Sequence, residues 1–213
     1  MNKVNAIFFK NKLKPIFGFI CIVFIPILLL LISALILSKV FVNTVNYTTT
    51  ILSTWVSMGL CMVILPYLFF KKIYGVSLAE FGISKITKKE SIFCLISIVS
   101  LYGFLIIKTN FACTLLIIAT LQNLGVVLAE EFFTKGVMFF QTKKICSNSV
   151  FRVVLCALVF AFVLHNAASP YINLLYRFPL ALITGYAYLK TDKLYIPVML
   201  HFINNMLSTG ILK

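Results

Sequence analysis

Six long runs without a charged residue constrain this chain more than any other feature of its sequence. Each run approaches or exceeds the ~20 residues that an α-helix needs to cross the core of a bilayer. The runs are 15–38, 40–70, 91–107, 109–129, 153–176 and 194–212. With 62% apolar residues and a mean hydropathy of +1.06, the chain is too hydrophobic for a soluble domain. We therefore expect a single membrane domain over residues 1–213.

The runs predict an all-α membrane bundle of about seven transmembrane helices. The predicted helices are 16–38, 51–70, 91–107, 111–141, 150–168, 170–189 and 194–212. The fourth is longer than a bilayer requires and should tilt, kink or protrude. The connecting segment 74–90 is expected to carry a short interfacial helix. Ala181 and Gly185 form a small-xxx-small pair, which predicts close helix packing in the sixth helix.

The basic residues predict how the bundle is oriented. Fourteen of them lie at the N-terminus and in the loops of one side, three lie on the other side, and Lys135 and Arg177 fall inside helices. The positive-inside rule then gives a cytoplasmic N-terminus and an outside C-terminus. Because this charge sits in short loops and not along one face, the net charge of +14 does not indicate a nucleic-acid partner. The 17 lysines against 2 arginines are typical of an AT-rich bacterial genome, so we expect a bacterial plasma membrane.

Four polar residues that lie in the apolar runs or directly beside one are predicted to meet inside the membrane. Ionisable groups in a bilayer are costly unless paired, which makes Glu130, Glu131, His165 and His201 functional candidates. Counted from the nearest basic residue at ~1.5 Å per residue, Glu130 and His165 both lie about 20 Å from the same boundary. His201 lies about 12 Å and Asn205 about 18 Å from it. Three helices thus bring Glu, His, His and Asn to overlapping depths.

Two chemistries are open to such a set, and both hydrolyse an amide. A carboxylate and an imidazole can deprotonate a water, while a second imidazole and an amide hold the oxyanion. Lys135 is one turn from Glu131 and can pair with it, which leaves Glu130 free to act as the base. Alternatively, Glu130, His165 and His201 would form a His₂Glu zinc site with an open position for water. The cofactor is then either none or a single zinc ion.

The same residues resemble the motifs of the CPBP intramembrane proteases. That family includes the CAAX prenyl proteases and the bacteriocin-processing or self-immunity (Abi) proteins. The resemblance covers roughly 126–208, within a family-like core at about 111–212. The similar elements are Glu130-Glu131-x-x-x-Lys135, His165 late in the next helix, and His201-x-x-x-Asn205 in the last helix.

The resemblance also implies a role for each residue. Glu130 and His165 would activate the water, and His201 and Asn205 would stabilise the oxyanion. Glu131 would support the site together with Lys135. The family has been described both as metalloproteases and as metal-independent glutamate proteases, so the metal stays open.

Two positions depart from the family pattern. Lys135 stands where the first motif normally has Arg, and Lys lacks the planar fork that grips a carboxylate at two points. Ala161 stands where a Phe normally precedes His165 by four residues, with Phe160 and Phe162 beside it. We expect Ala161→Phe to be tolerated, since it restores the family's packing residue. The departures leave an active enzyme and a divergent or inactive member both open.

Three functions are compatible with the predicted membrane site. The first is an intramembrane endopeptidase that cuts a membrane-associated peptide or protein, such as a bacteriocin or pheromone precursor. The second is a non-catalytic bacteriocin self-immunity protein. The third is a proton-coupled transporter, because Glu and His chains also serve as proton relays. The absence of visible internal symmetry argues against transport.

Overall fold

The computed structural model describes residues 3–41, 46–110 and 112–208. Within these ranges all regular structure is helical, which confirms the predicted all-α bundle. The predicted helix start at residue 111 and the predicted helix end at 209–212 lie outside the described residues. The seven helices are α1 (Lys3–Val40), α2 (Tyr47–Tyr74), α3 (Lys88–Lys108), α4 (Cys113–Thr142), α5 (Ser149–Leu164), α6 (170–191) and α7 (Tyr195–Ser208).

The helices differ in how far they reach. By length and composition, α1 to α4 are long and apolar enough to cross a membrane, and α5 is a shorter apolar helix. The prediction carried α5 to residue 168, but the helix ends at Leu164. Its 16 residues rise about 24 Å, which is less than the ~30 Å of a bilayer core. The backbone leaves the helix at His165, and Ser169 and Pro170 begin α6 with an N-cap and a first-turn proline.

Four helices contain a segment with π-helical hydrogen bonding. Such segments are rare and often mark functional sites. In α4 the segment follows Glu131 directly, and in α5 it ends directly before His165. The long fourth helix therefore changes its winding at the predicted site. The four segments are Gly59–Ile64, Phe132–Met138, Val159–Leu164 and Asn173–Arg177.

Close contacts at two glycines fix how the helices around the site pack. A Cβ on Gly125 of α4 would lie 2.5 Å from Trp55 Nε1, so only glycine admits the indole of α2 at this point. Trp55 donates from Nε1 to the Leu121 carbonyl at 2.9 Å. In α6, a Cβ on Gly185 would lie 3.0 Å from Val153 Cγ1, so the predicted close approach is made against α5.

Two of the lysine-bearing connections meet at one end of the bundle. The segment between α2 and α3 contains a short 3₁₀ helix, Leu78–Phe81, whose Phe81 is fully buried in the core. That this helix lies at the membrane interface stays a prediction. The Leu194 amide donates to the Gly82 carbonyl at 3.0 Å, and Lys193 Nζ donates to Glu90 Oε2 at 2.7 Å. The charge count assigned these connections to one side. Which membrane face that side occupies stays a prediction.

Candidate active site

The two adjacent glutamates of α4 point to different partners. Glu130 and Glu131 are both buried, with exposed fractions of 7% and 1%. Consecutive residues on an α-helix are turned by about 100°, so adjacent carboxylates serve different neighbours. Glu130 faces His165 and His201, whereas Glu131 faces His201 and Lys135. Three helices therefore bring five of the six predicted residues into one cluster.

The Glu130 carboxylate lies between the two imidazoles. Glu130 Oε1 is 3.7 Å from His165 Nε2, and Glu130 Oε2 is 3.8 Å from His201 Nε2. Both separations are longer than a hydrogen bond, and Oε2 has no hydrogen-bond partner within the described part of the chain. A single water can hydrogen-bond to two polar groups at such a separation. Glu130 is thus placed to act on a molecule held between the side chains.

Hydrogen bonds on the far side of each ring set which nitrogen faces Glu130. His165 Nδ1 lies 2.9 Å from the Phe160 carbonyl, which can only accept, so Nδ1 is the donor. The Nε2 of a neutral His165 is then an acceptor. His201 Nδ1 likewise donates to Glu131 Oε1 at 2.8 Å. Each imidazole is held at Nδ1 and presents Nε2 to the centre of the cluster.

Glu131 links His201 to a buried lysine. Lys135 Nζ lies 3.6 Å from Glu131 Oε2, and both side chains are 1% exposed. Lys135 also donates to Thr134 Oγ1 at 3.3 Å and lies 5.5 Å from the centre of the Phe160 ring. The lysine at the position of the family's arginine thus makes the expected i,i+4 ion pair with one carboxylate oxygen. The other oxygen stays free to hold His201.

Phe160 packs against both histidines. Its ring centre is 4.6 Å from that of His165 and 5.6 Å from that of His201. Ala161, the position of the family's Phe, is completely buried. The neighbouring Phe160 makes the aromatic contact with His165, so a Phe at 161 is not needed for it.

A buried asparagine that the sequence analysis missed holds the backbone of His165. Asn173 is 2% exposed, and its Nδ2 donates to the His165 carbonyl at 3.0 Å. Arg177 in turn donates from Nη1 to Asn173 Oδ1 at 2.9 Å. The only signal in the sequence was a polar residue in the run 153–176, one turn before an intrahelical arginine. We regard Asn173 as a positioning residue.

Asn205 lies one turn after His201 on α7, but it does not contact the carboxylates. Its Oδ1 accepts a long hydrogen bond, 3.5 Å, from Asn204 Nδ2. Asn204 makes the interhelical contact, accepting from the Tyr176 hydroxyl at 2.8 Å. The two neighbouring amides therefore make different contacts. Asn204 joins α6 to α7, and Asn205 shares the helix face of His201.

Two arrangements are compatible with this set of donors. Among the described residues, no three His, Cys, Asp or Glu side chains lie close enough to hold one ion as they stand. Each imidazole nevertheless presents Nε2 to Glu130 and is bonded through Nδ1, which is also how metal-bound histidines are held. The zinc alternative on Glu130, His165 and His201 and the metal-free alternative both stay predictions.

This geometry defines a class of protein: a helical membrane bundle with a buried carboxylate–imidazole site. Residues 111–207 match the family model for type II CAAX prenyl endopeptidases, described as Rce1-like. The match covers somewhat less than half of the chain and includes all six predicted site residues. It confirms, over these residues, the resemblance to the CPBP intramembrane proteases. Neither the curated proteins nor the solved structures contain a significant match.

Proposed function

We propose that this protein is an intramembrane endopeptidase of a bacterial plasma membrane that cuts a membrane-associated peptide or protein. One observation carries the proposal. The Glu130 carboxylate lies within 4 Å of the Nε2 atoms of both histidines. A general base in reach of a water and a second group for the oxyanion are the two requirements of amide hydrolysis.

Glu130 and His165 activate the water. Glu130 Oε1 and the Nε2 of neutral His165 are both acceptors, so a water between them donates one O–H to each. Its lone pair then attacks the carbonyl carbon. One water proton passes to Glu130 as the O–C bond forms, and the carbonyl electron pair moves to oxygen. Collapse re-forms the C=O bond and breaks the C–N bond, while Glu130 returns its proton to the leaving amine.

His201 and Asn205 stabilise the oxyanion. To donate from Nε2, His201 must carry protons on both ring nitrogens, with Nδ1–H bonded to Glu131. Lys135 balances the charge of Glu131 at 3.6 Å. Asn205 is the second donor, about 6 Å further along the same helix face. Preorganised donors of this kind are worth about 10²–10³ in rate each.

The substrate class is inferred from the burial of the site. The cluster is buried among helices that we expect to cross the bilayer, so the substrate's own apolar part would bring the cleaved bond to it. The matching family is described as type II CAAX prenyl endopeptidases. For a bacterial chain, we propose a membrane-associated peptide such as a bacteriocin or pheromone precursor.

The test is Glu130→Gln, which keeps the shape of the side chain and removes the base. Quantitative mass spectrometry of peptide termini in host membranes should show cleaved products with the wild type. The variant should form them about 10²–10⁴-fold more slowly at equal membrane abundance. Glu80→Gln, at an exposed carboxylate in the α2–α3 connection, is the matched control.

Two results would redirect the proposal. If Glu130→Gln formed the cleaved products at the wild-type rate, hydrolysis at this site would be excluded. A non-catalytic immunity protein that acts by binding would then be the better hypothesis. If product formation by the wild type stopped with a zinc chelator and returned with added zinc, the metal-free mechanism would be wrong.

A further inference from the structure

A lateral groove between α1 and α2 forms a second site, away from the glutamates. Its volume is about 640 Å³, within the ~300–1,000 Å³ typical of ligand sites. Several of its wall residues are about half exposed, so the groove opens sideways. Its apolar walls include Phe17, Ile25 and Leu29 on α1 and Cys61, Leu65 and Phe69 on α2.

One end of the groove is polar and carries a buried, incompletely bonded amide. Gln141 lines this end at 3% exposure, and its Nε2 donates to the Pro15 carbonyl at 3.0 Å. Its Oε1 is buried and accepts no hydrogen bond from the described residues. A Cβ on Gly18 would lie 2.8 Å from this amide, so glycine is what admits it between the helices. The amide therefore closes this end of the groove and joins α4 to α1.

The same end carries positive charge that no carboxylate of the described residues balances. Lys72 and Tyr74 both line the groove. The Nζ atom of Lys144 lies over the Tyr74 ring, 3.1 Å from the ring centre. In the described ranges, neither lysine forms an ion pair, and the same holds for their neighbours Lys71 and Lys143. Cation–π contacts fix the position of an ammonium group without neutralising it. The groove therefore joins an apolar wall to an anion-attracting end.

We propose that this groove binds one anionic phospholipid. An acyl chain lies along the α1–α2 wall, and the phosphate lies beside Lys72 and Lys144. A peptide fits the walls less well, because its backbone N–H and C=O groups would find few partners there. An uncharged isoprenoid would leave the two lysines unused.

The bound lipid would also fasten α1 to the bundle. Among the described side chains of α1, only Phe19, Val23 and Pro26 are buried, and Gln141 supplies a polar link from α4 to this helix. A lipid that fills the groove extends this contact area. A ligand that binds only the folded state raises the free energy of unfolding by mass action. Lipid binding can therefore be measured without knowledge of the protease substrate. The inference is independent of the proposed hydrolysis.

The first experiment measures lipid binding to the purified, delipidated protein in a neutral detergent. Phosphatidylglycerol and phosphatidylcholine are titrated separately, and native mass spectrometry counts the lipids retained. We expect one phosphatidylglycerol to be retained in preference to phosphatidylcholine and to raise the unfolding temperature. Lys72→Gln and Lys144→Gln should each weaken that binding about fivefold. Lys85→Gln and Lys89→Gln remove the same charge at exposed lysines outside the groove and should have little effect.

A second pair of variants tests the groove itself. Ile25→Trp fills the wall, whereas Ile20→Trp adds the same ring at an exposed α1 position outside the groove. Only Ile25→Trp should abolish retention of phosphatidylglycerol. Equal retention of both lipids, or equal losses in the groove and control variants, would overturn the proposal. Retention of a farnesylated peptide without preference for phosphatidylglycerol would assign the groove to a substrate lipid and overturn it as well.

Discussion

Replacing Lys135 with Met tests whether the buried ion pair supports the site. The ammonium is completely buried and 3.6 Å from Glu131 Oε2, which has no hydrogen-bond partner in the described structure. Breaking a buried pair by removing one partner typically costs about 3–5 kcal/mol, because the remaining charge is uncompensated. Glu131 keeps its bond from His201 Nδ1 at 2.8 Å, so we expect the lower end, about 3 kcal/mol.

The free cysteines of the chain provide the assay. Cys61 and Cys156 are buried and unpaired, so a thiol-reactive fluorophore reports their exposure as the protein unfolds in detergent. A loss of about 3 kcal/mol corresponds to a fall in Tm of about 6–12 °C for a chain of this size. Lys85→Met, at an exposed lysine, is the control and should change Tm by less than about 2 °C.

A double-mutant cycle separates the ion pair from packing. Glu131→Gln alone leaves the lysine without its partner, but Lys135→Met combined with Glu131→Gln removes both charges of the pair. We expect the double variant to be more stable than the sum of the single losses by at least about 1.5 kcal/mol. Additive losses, or an unchanged Tm for Lys135→Met, would refute the ion-pair assignment.

Three further outcomes follow from single contacts. Asn173→Ala and Asn173→Asp should both slow product formation, because each removes the hydrogen bond that holds the His165 carbonyl. Asn173→Asp keeps an acceptor for Arg177, so full activity in this variant would show that the bond to His165 is not needed for catalysis. Ala161→Phe should lower Tm, with a cost of about 1–3 kcal/mol or more for overpacking a fully buried position, and an unchanged Tm would contradict this. Gly125→Ala should be destabilising, because the new Cβ would lie 2.5 Å from the indole nitrogen of α2. Gly103→Ala, with open space around it, should gain up to about 1 kcal/mol of helix propensity, and the same sign for both would refute the packing argument.

The cluster of charged and ionisable residues was accessible from the sequence for an energetic reason. A carboxylate, an imidazole or an ammonium is expensive in a bilayer unless it has a partner, so the few that occur must meet one another. Counting residues from the lysine-rich boundaries placed Glu130 and His165 at one depth, and the structure has them 3.7 Å apart. The pairing of Glu131 with Lys135 followed from i,i+4 spacing alone.

The neutral polar residues were not accessible in the same way. An asparagine in a membrane helix is inexpensive, and its hydrogen bonds average well below 1 kcal/mol, so its presence predicts no particular partner. Asn173 holds the His165 carbonyl only because α5 ends at Leu164 and the chain folds back into α6. A helix that ran on to 168, as predicted, would lack the turn that creates this contact. Sequence reasoning could also not separate Asn204 from Asn205, since both lie near the same depth.

The departure at Ala161 has a structural explanation in the winding of α5. A motif that places Phe four residues before His assumes an α-helix, in which residues i and i+4 lie on one face. Here the segment Val159–Leu164 has i→i+5 hydrogen bonding, so the residue one turn before His165 lies five positions back. That residue is Phe160, whose carbonyl accepts from His165 Nδ1 and whose ring packs on both imidazoles. The aromatic residue thus lies one position earlier in the sequence, and the wider π-helical turn still places it one turn before His165. The aromatic contact is preserved although the motif is not.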